Sequence, residues 1–222
     1  MTTESGRIAM YRERQNDDLY SVIDGPRAPV PSMPFETLRD KFRENRLLIV
    51  GSGESHQEID VDHLAPDVLI MVLNHNFSIV ADFLFYMDQS AASDLNQLEF
   101  HDRRIVIGPV ARECAIRDVY FTVGIDCIHC GHSGAMALQL AQFMGFESIY
   151  LAGYDYKPTK AGTDYCYDEK KTCIYGNAGT VKAYLADFDR FGIRGNVFNL
   201  NHDSLLRTIK FADKAVLYGP EN

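Results

Sequence analysis

The sequence predicts an α/β fold: one domain on a doubly wound, mainly parallel sheet. Three observations predict it. Short apolar runs recur along the chain and end in Gly, Asn or Asp. Such runs alternate with helical patterns, as in βαβ units. One stretch, 133–156, contains a whole helix–strand unit with its start and stop signals.

The chain opens with a polar and then proline-rich stretch, 1–33, which holds Gly25-Pro26-Arg27-Ala28-Pro29-Val30-Pro31 and no sustained period. It is expected to be an extended arm. The body of the fold is expected over 34–222, starting with an amphipathic helix, 34–45, that turns Phe35, Leu38 and Phe42 to one face. Leu47-Leu48-Ile49-Val50 reads as a buried parallel strand and opens into Gly51-Ser52-Gly53-Glu54-Ser55. Glycines there allow a tight turn and close backbone approach to a ligand. This is half of a dinucleotide fingerprint, since His56 stands where the third glycine would be, and a plain strand-to-helix turn is the alternative reading.

Further strands are expected at 67–73, ending at Asn74-His75-Asn76, at 83–87, ending at Asp88, and at 104–107. In 133–156, Ser133 is expected to cap a helix carrying Met136, Leu140, Phe143 and Met144. Gly145 suits the left-handed stop. Strand 148–152 then delivers Gly153, Tyr154 and Asp155 to the carboxyl edge of the sheet, where open α/β proteins bind ligands. A bare helix N-terminus on that same rim favours anions. A helix at 181–191, a strand at 196–200 and a helix from Ser204 to about Asp213 complete the body.

Segment 157–179 has no period and follows Asp155 directly, so it is expected to be a small lid or a surface hairpin. Its tyrosines (Tyr165, Tyr167, Tyr175, with Tyr156 before them) cluster there, and Lys157, Lys160, Lys170 and Lys171 concentrate positive charge at that edge.

Together these segments resemble a known family. Gly-x-Gly-x-Ser at 51–55, an Asn after the second strand, Ser133-Gly134 and the run Ile149-Tyr150-Leu151-Ala152-Gly153-Tyr154-Asp155-Tyr156 resemble the bacterial CMP-sialic-acid transferases of lipooligosaccharide synthesis. They are also similar to Rossmann-like relatives of those enzymes, the motility accessory factors and the archaeal hydroxymethylpterin pyrophosphokinases. The resemblance covers roughly 46–212. It implies a Rossmann-like domain and a nucleotide held by Gly51, Ser52, Gly53, Asn74 or Asn76, Ser133, Gly134, Gly153, Tyr154, Asp155 and Tyr156. It implies a glycosyltransferase-like enzyme that takes a nucleotide sugar and a carbohydrate acceptor. Two alternatives stay open: an ATP-dependent pyrophosphokinase, for which Mg²⁺ is expected, and a non-catalytic nucleotide-binding relative. Family members use a lid histidine as general base, and 157–179 has none. His132, beside the Ser-Gly helix start, stands as the substitute base, with Asp155 as the second catalytic candidate.

Other candidates have competing readings. Asp88 holds metal or caps a helix; His75 touches ligand or only packs. Cys127-x-x-Cys130, near His129 and His132, has zinc-ligand spacing, but no second such pair exists. Five cysteines in a chain of this size read as reduced thiols and no resident metal is expected. Asp60-x-Asp62 and Asp187-x-Asp189 read as surface charge. A net charge of −9 argues against a nucleic-acid surface. No signal-like start and no long apolar run occur, so a cytoplasmic protein without a membrane span is expected, with homo-oligomerisation open.

Overall fold

The computed structural model describes residues 32–97, 104–112, 114, 117–124, 132–158 and 178–219. Nearly all of the 1–33 arm, nearly all of the 157–179 lid, Cys127, His129, Cys130 and the lysines and tyrosines of 160–175 lie outside them.

Nine strands form one open sheet: β1 (Met33–Pro34), β2 (Arg46–Val50), β3 (Val68–Leu73), β4 (Phe83–Phe85), β5 (Ile105–Pro109), β6 (Val119–Phe121), β7 (Ser148–Ala152), β8 (Val197–Asn199) and β9 (Lys210–Phe211). Their order across the sheet is β1-β6-β5-β4-β3-β2-β7-β8-β9. Every neighbouring pair is parallel. Among the described residues three α-helices accompany it: α1 (Gln89–Gln97), α2 (Ser133–Met144) and α3 (Ala178–Arg190).

The apolar runs explain the centre of this sheet. β3 is buried at all six positions. Its residues alternate between two cores: Leu69, Met71 and Leu73 on one face, Ile70 and Val72 on the other. β2 and β7 repeat the alternation, with Leu47, Ile49, Ile149 and Leu151 facing one way and Leu48, Val50, Tyr150 and Ala152 the other. A strand covered on both faces has no polar side, so it reads as one apolar run. The first core is covered by α2, α3 and Phe35, Leu38 and Phe42. The second is covered by Ala91, Ala92 and Leu95 of α1 together with Leu64 and Leu217.

Two expected helices are absent. At 34–45 only Phe35–Leu38 is helical, as a single 3-10 turn. The apolar face is buried as expected, but the backbone donors of Asp40 and Phe42 go to the carbonyls of Phe143 and Met144 at the end of α2. That docking explains Gly145, whose φ is 86° and whose Cβ would lie 2.9 Å from the Asp40 backbone. At 204–213 the chain makes turns and then β9. Leu205 N–H donates to the Asp155 carbonyl, and Ser204 Oγ donates to that of Tyr154 and accepts from Leu206 N–H, so tertiary partners replace the helical ladder. The Gly51-x-Gly53 loop likewise leads into a 3-10 helix, Glu54–Glu58, and not into an α-helix.

Candidate active site at the carboxyl edge

The strand order reverses at the centre of the sheet. From β2 the chain moves outward through β3, β4, β5 and β6, and then α2 carries it back to β7 on the other side of β2. Ligands of open α/β sheets bind outside the carboxyl ends of strands at such a switch point. The Gly51-Ser52-Gly53 loop and the Gly153-Tyr154-Asp155 turn are the extensions of β2 and β7 there.

Hydrogen bonds lock these two extensions together. Gly51 N–H donates to Ala152 O at 2.8 Å and Gly53 N–H to Gly153 O at 2.9 Å. Gly153 N–H donates to Ser55 Oγ at 3.1 Å. The backbones approach so closely that a Cβ on Gly51 would meet Gly153 O at 2.7 Å and one on Gly153 would meet Gly51 O at 2.6 Å. Asp155 is the clasp. Its carboxylate accepts from Ser55 N–H at 2.9 Å, from the Ser55 hydroxyl and from Asn201 Nδ2 at 2.7 Å. It is 4% exposed, with both oxygens engaged. Asp155 therefore fixes the shape of the glycine loop and faces inward.

Asn74 joins the next strand to the same rim. It sits past β3 with φ of 49°, a left-handed conformation that Asn tolerates. Its Nδ2 donates to Ser133 Oγ at 2.9 Å and its Oδ1 accepts from Met87 N–H at 3.0 Å. One side chain thus ties together the ends of β3 and β4 and the start of α2. Asn76 is buried, and its Nδ2 donates to Gly51 O at 2.9 Å, supporting the glycine loop from below.

The α2 start differs from expectation. His132, not Ser133, is the cap: its Nδ1 accepts from Ala135 N–H at 3.3 Å, and its Nε2 lies 3.1 Å from the Tyr184 carbonyl. Those partners assign the proton to Nε2 and leave Ser133 free to meet Asn74. Gly134 follows; its carbonyl accepts from Tyr154 OH at 3.1 Å, and a Cβ there would lie 2.9 Å from the Tyr154 ring. Tyr154 and Tyr156 are buried, and with His132 they pack around Phe188 of α3, while His132 also packs on Tyr184. Tyr156 holds φ of 54°, unusual for a large side chain and the kind of strain that collects at functional sites. Asp187 is buried beside this cluster and paired with Arg190 at 3.3 Å, so it is not the surface charge its spacing suggested.

Burial holds the His132 imidazole below its ordinary value of 6.5, against the raising effects of the Tyr184 carbonyl and Asp187. The sign follows. The unfolded chain takes up this proton more readily than the folded one, so the contribution is complete above pH 6.5 and is lost as the pH falls below it. Protonation would also place a donor against Ala135 N–H and a positive charge at a helix N-terminus. Wild-type protein should therefore lose melting temperature between pH 7.5 and 5.0 more steeply than His132→Asn, which keeps a capping oxygen without titrating. Equal slopes would contradict this role.

What remains partly open on the rim is Ser52, Asn74, Ser133, Gly134 and Met87, above the N-terminus of the twelve-residue α2. The Ser133 and Gly134 N–H groups lie in the first turn, where no earlier helical carbonyl can take them. Beyond Asp155, a groove of about 530 Å³ runs between α3 and loop 205–208, lined by Val181, Lys182, Leu185, Leu205, Leu206 and Arg207. Among the described residues no cluster of three His, Cys, Asp or Glu side chains could hold a metal. No described helix is long and apolar enough to cross a membrane. Of the residues that shape the site, sequence reading missed Ser55 and Asn201. Ser55 stands inside Gly-x-Gly-x-Ser, and Asn201 just after β8, so position alone could have marked both.

No protein-family model and no curated protein matches the sequence. Solved structures do match. The sialyltransferase CstII from Campylobacter jejuni in complex with the substrate analogue CMP-3FNeuAc aligns with a TM-score of 0.50 and 16% identity, over 79% of this chain and 88% of that one. The fold is similar to that of this Campylobacter jejuni sialyltransferase. The monofunctional α-2,3-sialyltransferase Cst-I from Campylobacter jejuni aligns at a TM-score of 0.48 and 12% identity, over 80% of this chain and 83% of its own. At 16% identity the likeness to CstII speaks for architecture alone; the chemistry must come from the residues of this chain.

Proposed function

We propose that this chain binds a nucleotide-activated sugar at the carboxyl edge of its sheet and acts as a sialyltransferase-like glycosyltransferase. The observation that carries the reading is the Asn74–Ser133 hydrogen bond. It fixes the first turn of α2, whose Ser133 and Gly134 N–H groups have no helical acceptor, beside the glycine loop, at the point where the strand order reverses. A helix N-terminus with N–H groups pointing outward and a side-chain-free Gly134 suits a phosphate. The ribose and base would lie along Ser52, Asn74 and the glycine loop, and a carbohydrate acceptor would approach from the solvent side. The likeness to a CMP-3FNeuAc-bound structure supports a cytidine nucleotide as the first to try. Glycosyl transfer of this kind rests largely on positioning the sugar and the acceptor hydroxyl. Because both His132 nitrogens have partners, this reading assigns His132 a structural role and no proton transfer.

Asp155 spends both oxygens on Ser55 and Asn201, which favours a nucleotide sugar over a Mg²⁺-dependent pyrophosphokinase. Melting curves with CMP, UDP, GDP and ATP, each with and without Mg²⁺, test the choice. Saturating CMP at about 100 times its Kd should stabilise the fold by about 2.7 kcal/mol, or roughly 5–10 °C, without Mg²⁺. A shift only with ATP and Mg²⁺ would favour the pyrophosphokinase, and no shift with any nucleotide would remove the proposal.

A further inference from the structure

A second constellation lies on the same edge, on the far side of Asn74, and the nucleotide reading makes no use of it. His75 follows Asn74 at the end of β3. Its Nε2 is 3.3 Å from Ser90 Oγ, and its Nδ1 is 3.2 Å from Asp94 Oδ2. Ser90 and Asp94 are four residues apart on α1, hence on one helical face, and the imidazole bridges them. The His75 side chain is 14% exposed, whereas that of Asp94 is 52% exposed and Ser90 is exposed. The Phe77 ring lies edge-on at 5.7 Å and helps to fix the imidazole plane.

This is the order of roles in a nucleophilic triad: hydroxyl, base, and a carboxylate that orients the base. Such sites are recognised by geometry and not by order along the chain, and their distances run somewhat long before substrate binds. Ser90 also stands second in α1, directly after the β4 connection. The N–H groups of that first turn lack earlier helical acceptors, so a developing oxyanion beside Ser90 would meet the positive end of the helix.

We propose that Ser90, His75 and Asp94 form a second catalytic site that hydrolyses carboxylic esters by way of an acyl-serine. The open rim position suits a short acyl group on a polar alcohol. Ser90 Oγ bonds to the ester carbonyl carbon as its proton passes to His75 Nε2, and the carbonyl electron pair moves onto oxygen. Collapse breaks the bond to the alcohol oxygen, which leaves with the proton from Nε2. Water then adds to the acyl-serine with His75 again taking a proton. Collapse returns that proton to Ser90 and releases the carboxylic acid. Nothing is oxidised or reduced. Asp94 holds the tautomer with its proton on Nδ1 and so positions His75.

The test uses the full chain and a fluorophosphonate probe, with 4-nitrophenyl acetate as the ester. Intact mass should show one adduct, and peptide mapping should place it on Ser90. Ser90→Ala should abolish the adduct and ester turnover while leaving melting temperature unchanged, since Ser90 is exposed. His75→Gln and Asp94→Asn should slow labelling by about 10²-fold or more. Ser78→Ala, at another exposed serine between β3 and β4, should label normally. An unlabelled folded chain, an adduct elsewhere, or labelling that survives His75→Gln would overturn the proposal. So would ester turnover that persists in Ser90→Ala and disappears in His75→Gln, because His75 would then act without the serine. A nucleotide-induced melting shift is indifferent to all of these outcomes, so this site and the proposed nucleotide site fail separately.

Discussion

Gly153→Ala is expected to cost about 3 kcal/mol or more and to abolish the proposed nucleotide binding. Two effects add. Gly153 has φ of 70°, where an alanine is strained by roughly 1–2 kcal/mol. The new methyl would also lie 2.6 Å from Gly51 O and 2.9 Å from Gly53 O. Both atoms are backbone, on a loop pinned by Ala152, Gly153 and Ser55, so neither can swing aside as a flexible side chain could. The strands must separate at their carboxyl ends, which dissolves the rim that Ser52 and Ser133 share. Urea unfolding measures the first effect and a binding isotherm the second. A variant with a wild-type midpoint would show that the β2 and β7 extensions are not in contact. Gly195→Ala is the control, because nothing lies near the place its Cβ would take.

Asp155→Ala should be nearly as damaging, for a different reason. Removing the carboxylate leaves Ser55 N–H and Asn201 Nδ2 without their acceptor. Leaving buried donors unsatisfied costs about 1–3 kcal/mol, more when the lost partner was charged. A loss of about 3 kcal/mol is expected, and the proposed nucleotide binding should weaken through the displaced glycine loop. Asn201→Ala removes one donor and keeps both Ser55 bonds, so about 1 kcal/mol is expected there. If Asp155 instead touched ligand directly, Asp155→Ala would weaken binding and leave the urea midpoint unchanged.

The centre of the fold was legible because its strands are buried on both faces. Leu47–Val50, 68–73 and 148–152 have no polar side to obscure them, and Gly145 marks the end of α2 for a reason visible in the chain. The edges were not legible. β1 and β9 are two residues long, and β6 is three, so each is defined by its partner and not by its own pattern. α1 reads Gln-Ser-Ala-Ala-Ser-Asp-Leu-Asn-Gln, whose serines, Asp and Asn favour turns in isolation; three buried residues, Ala91, Ala92 and Leu95, hold it on the second core. The helix expected at 34–45 had suitable apolar spacing, but there and at 204–213 key donors, those of Asp40, Phe42 and Leu205, go to distant carbonyls.

The site was legible in position more than in role. Glycines, Asn74, Ser133 and Asp155 do converge at the carboxyl edge. Their division of labour depended on partners far away in sequence: Asp155 on Ser55 and Asn201, Ser133 on Asn74, His132 on Tyr184. The triad formed by His75 shows the same thing, since neither Ser90 nor Asp94 carries a motif.

In the proposed complex a nucleotide seats its phosphate on the first turn of α2, beside the glycine loop. Amide chemical shifts in a ¹⁵N-labelled sample titrated with CMP test it most directly. Saturable shifts are expected at Gly51, Ser52, Gly53, Ser133 and Gly134, with Gly192 and Gly195 unmoved. Shifts confined to the groove between α3 and loop 205–208, or none at any nucleotide concentration, would contradict it.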